Sequence, residues 1–303
     1  MNFSFDPRRD FAAEFKRIAD EQLAAAQHSL VNEPAPEAIH NARKRFKRVR
    51  ALYRLAARHA GTFRATENAR LRDVARTLSR DRDAVVLVET AAYLGHDAGP
   101  APRRNAMKRI EDHLAMRRHE TAAADDEPAE RIAAAVETCN AARKAIADAT
   151  FPSGRKTSAR HLARAWEKLL VKADAALEAC RETDNAERMH DLRKRCQDYR
   201  FFADLLHGAW PSALLAKRQL AKKLADDLGR HHDLSVLEHL VDTSPNAVGT
   251  EEDLRVLKAL LAAAKRKLRD KSLKAAEKLF AETPEQEARI IHALWKTAGK
   301  HVD

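Results

Sequence analysis

Apolar residues recur every three to four positions through most of the chain, the spacing that places them on one face of an α-helix. Short segments that contain Pro, Gly or polar clusters interrupt this pattern. The pattern predicts an all-α fold of about twelve helices. The clearest predicted breaks lie at residues 32–36, 61–63, 95–102, 151–156, 208–211, 242–250 and 282–284.

Two segments of the chain repeat at a fixed offset of 150 residues. The first begins at Ile39 and reads IHNARKRFKRVR, and its counterpart begins at Met189 and reads MHDLRKRCQDYR. A second pair, LSRDRDAVVLVE from Leu78 and LGRHHDLSVLEH from Leu228, keeps the same offset. Two matches in one register indicate an internal duplication.

The duplication predicts two pseudo-symmetric helical bundles. The segment FPSGRKTS marks the predicted boundary, so the N-terminal half is residues 1–152 and the C-terminal half is residues 153–303. We expect long antiparallel helices, and a pseudo-twofold axis that brings the two copies of one basic helix face to a shared central groove.

The first copy of the repeat places cations on one stripe of a helix. At about 100° per residue, the apolar stripe contains Ile39, Ala42, Phe46, Val49 and Tyr53. The cationic stripe contains His40, Arg43, Lys47, Arg50 and Arg54, with Lys44 at its edge. Residues 38–58 include no acid, and like charges at i, i+4 are unfavourable by a few tenths of a kcal/mol per pair. Such a run is tolerated more readily when an anionic partner compensates it.

The second copy keeps His190, Arg193, Lys194 and Arg200 at the equivalent positions, whereas Gln197 and Asp204 replace Lys47 and Arg54. A basic helix face is often only solvated, or is neutralised by acids on neighbouring helices. Its recurrence favours a site for a polyanion, with imidazole and guanidinium groups on phosphate oxygens.

The second repeated element predicts a helix, a tight turn and another helix. Asp83 and Asp233 are suited to N-cap the helix after the turn. Neighbouring cations add candidate phosphate contacts, because helix N-termini and guanidinium groups both suit phosphate. These candidates are Arg80, Arg82 and Arg230, and the same surface extends to Arg76, Lys222 and Lys223, each of which is also open to a solvated role.

Composition agrees with an anionic partner. The chain has 56 Lys and Arg against 45 Asp and Glu, a net charge of +11, which attracts nucleic acid, membrane surfaces and phosphate polymers. Cys139, Cys180 and Cys196 are odd in number without a CxxC spacing, which predicts free thiols in a reducing compartment, by default the cytoplasm. No segment approaches the roughly 18 to 20 apolar residues of a membrane span, so we expect a soluble protein.

The motifs of common phosphate enzymes are missing from the sequence. There is no GxxxxGK[ST], GxSxG or HExxH motif. A cluster of metal-ligating types, His231, His232, Asp233, Glu238 and His239, does not recur in the first copy, where Arg82 aligns with His232. We therefore expect no metal, no cofactor and no catalysis, and keep a metal-dependent phosphohydrolase as the least favoured alternative.

These features together resemble the CHAD family, the conserved histidine α-helical domain, over about residues 5–300. The resemblance rests on the paired H-x2-R-x3-[KR]-x2-R helices, the following R-D or H-D dipeptides, and the duplication. The first copy matches with His40, Arg43, Lys47, Arg48 and Arg50, followed by Arg82 and Asp83; the second matches with His190, Arg193, Arg200, His232 and Asp233. Gln197 and Asp198 depart from the pattern, because the family has basic residues there.

The resemblance implies a non-enzymatic protein that binds inorganic polyphosphate on a basic central surface and associates with polyphosphate granules in the cytoplasm. A nucleic-acid-binding helical protein is the main alternative. Single-strand binders stack bases on aromatic rings, however, and no aromatic residue interleaves with the cationic stripe.

Overall fold

The computed structural model describes residues 3–56, 61–78, 80–123, 128–151 and 153–298, with only the backbone described at residues 56, 80–83, 121–123 and 128. These residues form eleven α-helices and two short 3-10 helices, and no strand occurs among them. The predicted all-α class is therefore confirmed.

The helices of the first half are α1 (Phe11–Asn32), α2 (Ala35–Ala56), α3 (Gly61–Thr77), α4 (Arg80–His96), α5 (Ala101–Ala123) and α6 (Pro128–Asp148). Those of the second half are α7 (Arg155–Glu182), α8 (Ala186–Leu206), α9 (Pro211–Thr243), α10 (Glu251–Leu279) and α11 (Pro284–Ala298). The predicted breaks coincide with helix ends, except that residues 61–63 lie in the first turn of α3. A further break at residues 183–185 was not indicated by the apolar pattern.

Local capping explains where several helices begin. The Asp10 carboxylate accepts a hydrogen bond from the Ala13 N–H at 2.9 Å at the start of α1. The Asn185 side chain caps α8 by accepting from the Glu187 N–H at 2.7 Å. Pro211 opens α9, where its fixed φ suits the first helical position.

The helix bounds correspond between the halves at the offset of 150 found in the sequence. Subtracting 150 from α8 (186–206) gives 36–56, and α2 spans 35–56. Equivalent helices also contact each other, since α2 packs on α8, α5 on α10, and α4 on α9. Contacts of this kind are expected around a pseudo-twofold axis, which is consistent with the inferred duplication; the boundary at 152/153 stays a prediction.

Two hydrophobic clusters form the core, and each draws on both halves of the sequence. The larger cluster joins Phe15 and Phe46 of the first half to Trp166 and Trp295 of the second. The smaller cluster combines α4 and α5 of the first half with α9 and α10 of the second. It contains Ala91, Leu94, Ala98, Met107, Ile110, Leu114, Leu234, Leu237, Val241, Val248, Leu254, Leu257, Leu261 and Leu268. The two halves therefore share their cores.

A buried carboxylate fixes α8 against its neighbours. Glu287 of α11 accepts hydrogen bonds from the Trp166 indole N–H at 2.8 Å and from the Tyr199 hydroxyl at 3.1 Å, and it also pairs with Lys217. Because Tyr199 lies on α8 and Trp166 on α7, this network sets the position of α8 in the fold.

The helix-turn-helix predicted for the second copy is wrong. Asp233 lies inside the continuous helix α9, so it caps no helix N-terminus. In the first copy α4 begins at Arg80, so Asp83 lies within its first turn and not at the N-cap predicted for it; the Asp83 side chain lies outside the described residues. Gly229, in the segment where the turn was predicted, lies inside the same helix, and the Arg193 guanidinium packs against it.

All three cysteines are free thiols and all are buried. This agrees with the free thiols expected from their number and spacing, and the reducing compartment stays a prediction. Within the described residues, none of the helices combines the length and hydropathy that crossing a bilayer requires.

Candidate polyanion-binding surface

Helix α2 is oriented as its two stripes predict. Ala42, Phe46, Val49 and Tyr53 are buried and Ile39 is half-buried. On the other stripe His40, Lys44 and Lys47 are exposed, while Arg43, Arg50 and Arg54 are half-buried. We call the cations of α2 and α8 together the cationic surface: His40, Arg43, Lys44, Lys47, Arg48, Arg50, Arg54, His190, Arg193, Lys194 and Arg200.

Equivalent arginines of the two helices contact the following helix in each half. The Arg43 guanidinium donates a hydrogen bond to the Ala75 carbonyl near the end of α3. Arg193 lies across Gly229 of α9, where an added Cβ atom would be 3.3 Å from the guanidinium Nη2. In both halves, therefore, one arginine of the surface is held by backbone or by close packing on the backbone.

Arg48 and Arg50 are half-buried cations with too little negative charge around them. Burial lowers the pKa of Arg48, and Arg45 and Arg200 lower it further, although Asp204 acts in the opposite direction. Burial followed by the charge of Arg54 lowers the pKa of Arg50. Their hydrogen bonds go to neutral amides, because Arg48 donates to Gln22 at 3.4 Å and Arg50 donates to Asn68 at 3.0 Å.

An ion pair joins the halves where α2 and α8 cross. Arg54 of α2 pairs with Asp198 of α8, a residue that is only 7% exposed. Asp198 also lies 3.7 Å from Arg195, measured between Oδ2 and Nη1. Part of the cationic surface is therefore neutralised by an acid on a neighbouring helix, which is the alternative that sequence analysis left open.

The second copy carries acids where the first copy carries arginines at this crossing. Asp198 aligns with Arg48 and Asp204 aligns with Arg54 at the offset of 150. Asp198 pairs with Arg54, and Asp204 lies close enough to Arg48 to raise the pKa of that guanidinium. Opposite charges at aligned positions indicate complementary contacts between the two helices, a signal that a search for shared cations does not detect.

His190 and His232 pack against each other beside the cationic surface. Their ring centroids are 4.4 Å apart and the rings are inclined by 35°. Burial, then the charges of His232, Lys194 and Arg193, lower the pKa of His190 to about 4. Both rings line a groove of about 680 Å³ between α8 and α9, together with Ala186, Glu187, Arg188, Asp191, Lys194, Ser235, Val236 and His239.

The remaining predicted site residues lie outside the lining of this groove. Arg76, Lys222 and Lys223 are exposed on α3 and α9. Arg230 lies over the ring of Tyr93 at 4.2 Å, a cation–π contact between α9 and α4 beside the smaller core. Arg80 and Arg82 are in the first turn of α4, and their side chains lie outside the described residues. Arg200 lies over the neighbouring Phe201 ring at 5.3 Å.

The acid and histidine cluster around His231 does not assemble into a metal site. His231 is buried, with Lys265 and Glu238 among the charges that act on it, whereas His232 packs on His190. Adjacent positions of a helix point in different directions, which separates the two rings. Among the described residues, no group of three or more His, Cys, Asp or Glu has an arrangement suited to a metal ion.

Comparison with known proteins identifies the family. The sequence profile of the CHAD domain matches residues 17–242. The chain belongs to the CHAD family. Its fold is similar to the crystal structure of the CHAD domain from the plant Ricinus communis, with 18% sequence identity, a TM-score of 0.59, and coverage of 92% of this chain and 94% of that chain. No curated protein matches the chain.

The match to the CHAD domain covers both copies of the cationic helix. Residues 17–242 contain α2, α8 and nearly all of α9, and thus every site residue predicted from His40 to His232. At 18% identity the structural likeness shows a shared fold and nothing finer. What this CHAD domain binds must be argued from its own residues.

Proposed function

We propose that this CHAD domain binds inorganic polyphosphate without chemical turnover, using the cationic surface of α2 and α8. The observation that carries the proposal is the pair of half-buried arginines, Arg48 and Arg50, whose pKa values are lowered by burial and by neighbouring arginines. A polyanion would supply the missing negative charge, since an opposite charge favours the charged form of each group.

Binding would be multidentate. Exposed Lys44 and Lys47 would take phosphates at the surface, and the arginine forks would take others with charge-assisted hydrogen bonds. Release of counterions from the polymer would drive association and make the affinity sensitive to salt. The acids of α8 neutralise part of the second copy, since Asp191 lies 3.6 Å from Lys194 and Asp198 pairs with Arg54. The first copy should therefore contribute more binding energy.

Burial of the neighbouring aromatic rings favours polyphosphate over single-stranded nucleic acid. Phe46, Tyr53 and Tyr199 on the two cationic helices are buried in the core. A stacking platform for bases needs an exposed ring face. A polymer that is read through its phosphates alone requires none.

The test is the affinity for long-chain polyphosphate at two salt concentrations, measured by calorimetry with RNA of equal phosphate content as the comparator. If about six phosphates are neutralised, a log–log salt slope on the order of −4 is expected by analogy with single-stranded nucleic acid. Selective and salt-sensitive binding supports the proposal. Displacement of polyphosphate by RNA at equal phosphate concentration contradicts the selectivity.

A charge-reversal pair locates the site. Lys44→Glu with Lys47→Glu changes two exposed side chains of α2 and should weaken binding by about tenfold or more, because charge-assisted contacts are lost and repulsion is added. Lys144→Glu with Lys274→Glu makes the same change of charge at exposed positions of α6 and α10. Equal weakening by both pairs would show that net charge, rather than the cationic surface, drives binding.

Two further assays address turnover and targeting. Incubation of polyphosphate with the protein and Mg²⁺ or Mn²⁺ should release no phosphate; release that is lost in His232→Ala would support a hydrolase instead. In cells, a fluorescent fusion should collect at polyphosphate granules, and the Lys44→Glu with Lys47→Glu variant should not.

A further inference from the structure

The segment before α1, residues 3–10, crosses from the first half of the chain to the second. The Phe5 N–H donates a hydrogen bond to the Leu205 carbonyl at the end of α8, at 2.9 Å. The Phe5 ring lies edge-on against Trp295 of α11, with centroids 5.9 Å apart, and is only 1% exposed. The segment is thereby fastened to the second half by one backbone hydrogen bond and one buried ring.

Gly208 leaves room for this crossing. A Cβ atom added at Gly208 would be 2.8 Å from the Phe5 carbonyl oxygen and 3.2 Å from Cδ of Pro7. A separation under 3.0 Å from a backbone atom is not tolerated without a shift of that backbone. Any residue other than glycine at 208 would therefore push the segment away from α8.

Phe3 connects arginines of α2 and α8 through a second aromatic ring. The Arg48 guanidinium carbon is 5.3 Å from the centroid of the Phe3 ring. Phe3 in turn packs edge-on against Phe201, at 6.2 Å between centroids, and Arg200 lies over Phe201 at 5.3 Å. A continuous series runs from Arg48 through the two rings to Arg200, and so connects a cation of the first copy to a cation of the second.

These contacts compensate for an unfavourable arrangement. Arg48 and Arg200 repel each other, and Arg48 is half-buried with its Nε atom lacking a hydrogen-bond partner among the described residues. The face of an aromatic ring attracts a guanidinium more strongly when water is excluded. Phe3 is itself 8% exposed, so its ring supplies such a face.

We propose that Phe3 is a positioning residue of the polyanion-binding surface, and that residues 3–10 act as a strap that holds Arg48 and Arg200 at the α2–α8 crossing. The role in binding rests on the function proposed above. The strap itself does not, because the contacts of Phe3 with Arg48 and Phe201 exist without any ligand.

Two routes displace the strap without changing a cation. Phe3→Leu keeps an apolar side chain but removes the ring face, and Phe3→Trp restores it. Gly208→Ala disturbs the backbone of the strap from the opposite side, and Gly61→Ala is its matched control, since an added Cβ atom at Gly61 meets nothing within 4 Å.

We expect Phe3→Leu and Gly208→Ala to weaken binding of long-chain polyphosphate by about three- to tenfold, the range that corresponds to loss of a partly desolvated cation–π contact. Phe3→Trp and Gly61→Ala should bind as the parent chain does. A merely structural role for Phe3 predicts instead that affinity follows the midpoint of urea unfolding across the four variants. Parent-like affinity in both Phe3→Leu and Gly208→Ala would overturn the proposal.

A second measurement is independent of polyphosphate. We expect the NMR signal of the Arg48 Nε–H to carry a ring-current shift from Phe3 and to exchange slowly, because the atom is buried beside that ring. In Phe3→Leu the shift should disappear and the exchange should accelerate, whereas Phe3→Trp retains both properties. If the parent chain fails to bind polyphosphate while this signal responds as expected, the proposed function is wrong and the strap is right. An Arg48 signal unchanged in Phe3→Leu refutes the strap itself.

Discussion

Arg54 and Asp198 form an ion pair between two helices that occupy equivalent places in the two copies. Position 198 aligns with Arg48 at the offset of 150, and an arginine there would place a second guanidinium against Arg54. Asp204, at the position aligned with Arg54, pairs with Arg218 at 3.1 Å and lies close enough to Arg48 to raise the pKa of that guanidinium. The acids at positions 198 and 204 thus provide attraction where the aligned arginines of α2 would repel.

Removing the charge of Asp198 should destabilise the fold. Asp198→Asn removes the charged partner of Arg54 at a position that is buried. We expect the free energy of unfolding to fall by about 2–3 kcal/mol. Exchanging the two, Arg54→Asp with Asp198→Arg, should recover part of that loss. Urea unfolding of the single and double variants measures the coupling. Independent, additive effects would contradict the ion pair.

Gly229→Ala separates the stability of α9 from the position of Arg193. Alanine is favoured over glycine within a helix by about 0.5–1 kcal/mol, but the new Cβ atom would press on the Arg193 guanidinium. We expect the free energy of unfolding to change by less than about 1 kcal/mol while polyphosphate affinity falls. Calorimetry and urea unfolding on the same variant decide the matter. Undiminished affinity would remove Arg193 from the binding surface.

Binding of a polyanion should be coupled to uptake of protons at His190. In the free protein, burial and nearby cations hold the pKa of His190 at about 4, so the ring is neutral at pH 5.5. Added negative charge raises that pKa, and the complex therefore binds more protons than the free protein. Affinity should consequently rise as pH falls from 7 toward 5.

Calorimetry at pH 5.5 in two buffers of different ionisation enthalpy counts the protons taken up. His190→Gln should reduce the count and flatten the dependence of affinity on pH. Release of protons on binding, or an unaltered count in His190→Gln, is incompatible with this coupling.

Acid should destabilise the protein through His231. Burial, followed by the charge of Lys265, lowers the pKa of His231 to about 4, from an ordinary value of 6.5. Between these values the unfolded chain binds a proton that the folded chain does not, so stability is lost as pH falls from 6.5 to 4. The full loss from one such group is roughly 3 kcal/mol.

His231→Leu tests this assignment, because the Nε2 atom of His231 is buried and has no hydrogen-bond partner among the described residues. Urea unfolding at pH 7.5, 6 and 5 should show a smaller acid loss in the variant than in the parent chain. Parallel pH profiles would mean that His231 titrates normally.

The three thiols should be inert in the folded protein. Burial raises the pKa of Cys139 to about 12 and that of Cys180 to about 11, and it raises the pKa of Cys196 further. The thiolate is the reactive species, so little of it forms at pH 8. A thiol reagent such as Ellman's should modify no cysteine before unfolding and three afterwards. Rapid reaction of one thiol in the native state would contradict its burial.

Sequence alone predicts the helices and the orientation of α2 because periodicity follows from local geometry. Phe46 and Val49 face the core as their spacing requires. The turn predicted in the segment that begins at Leu228 was wrong, and Arg193, which packs over Gly229 there, lies 36 positions earlier in the chain. Local propensity carries no information about such a neighbour.

The candidate site is predicted in its composition but not in its connections. The helical periodicity of α2 places Arg54 on the cationic stripe, yet its partner Asp198 lies 144 positions away and is identified only through the fold. The role of Phe3 likewise cannot be predicted from the sequence pattern, because Phe3 precedes α1 and belongs to no periodic apolar stripe. Contacts between side chains of the two halves can be identified only from the tertiary structure.

The sharing of both hydrophobic clusters between the halves has a consequence for synthesis of the chain. Trp295 of α11 covers the rings of Phe5 and Phe11. Their apolar surface therefore stays exposed on the ribosome until α11 emerges. At about 5–20 residues per second, that interval is roughly 15–60 s. During it the nascent first half offers uncovered aromatic side chains to chaperones and to other nascent copies, and its protection in the cell depends on how quickly the second half arrives.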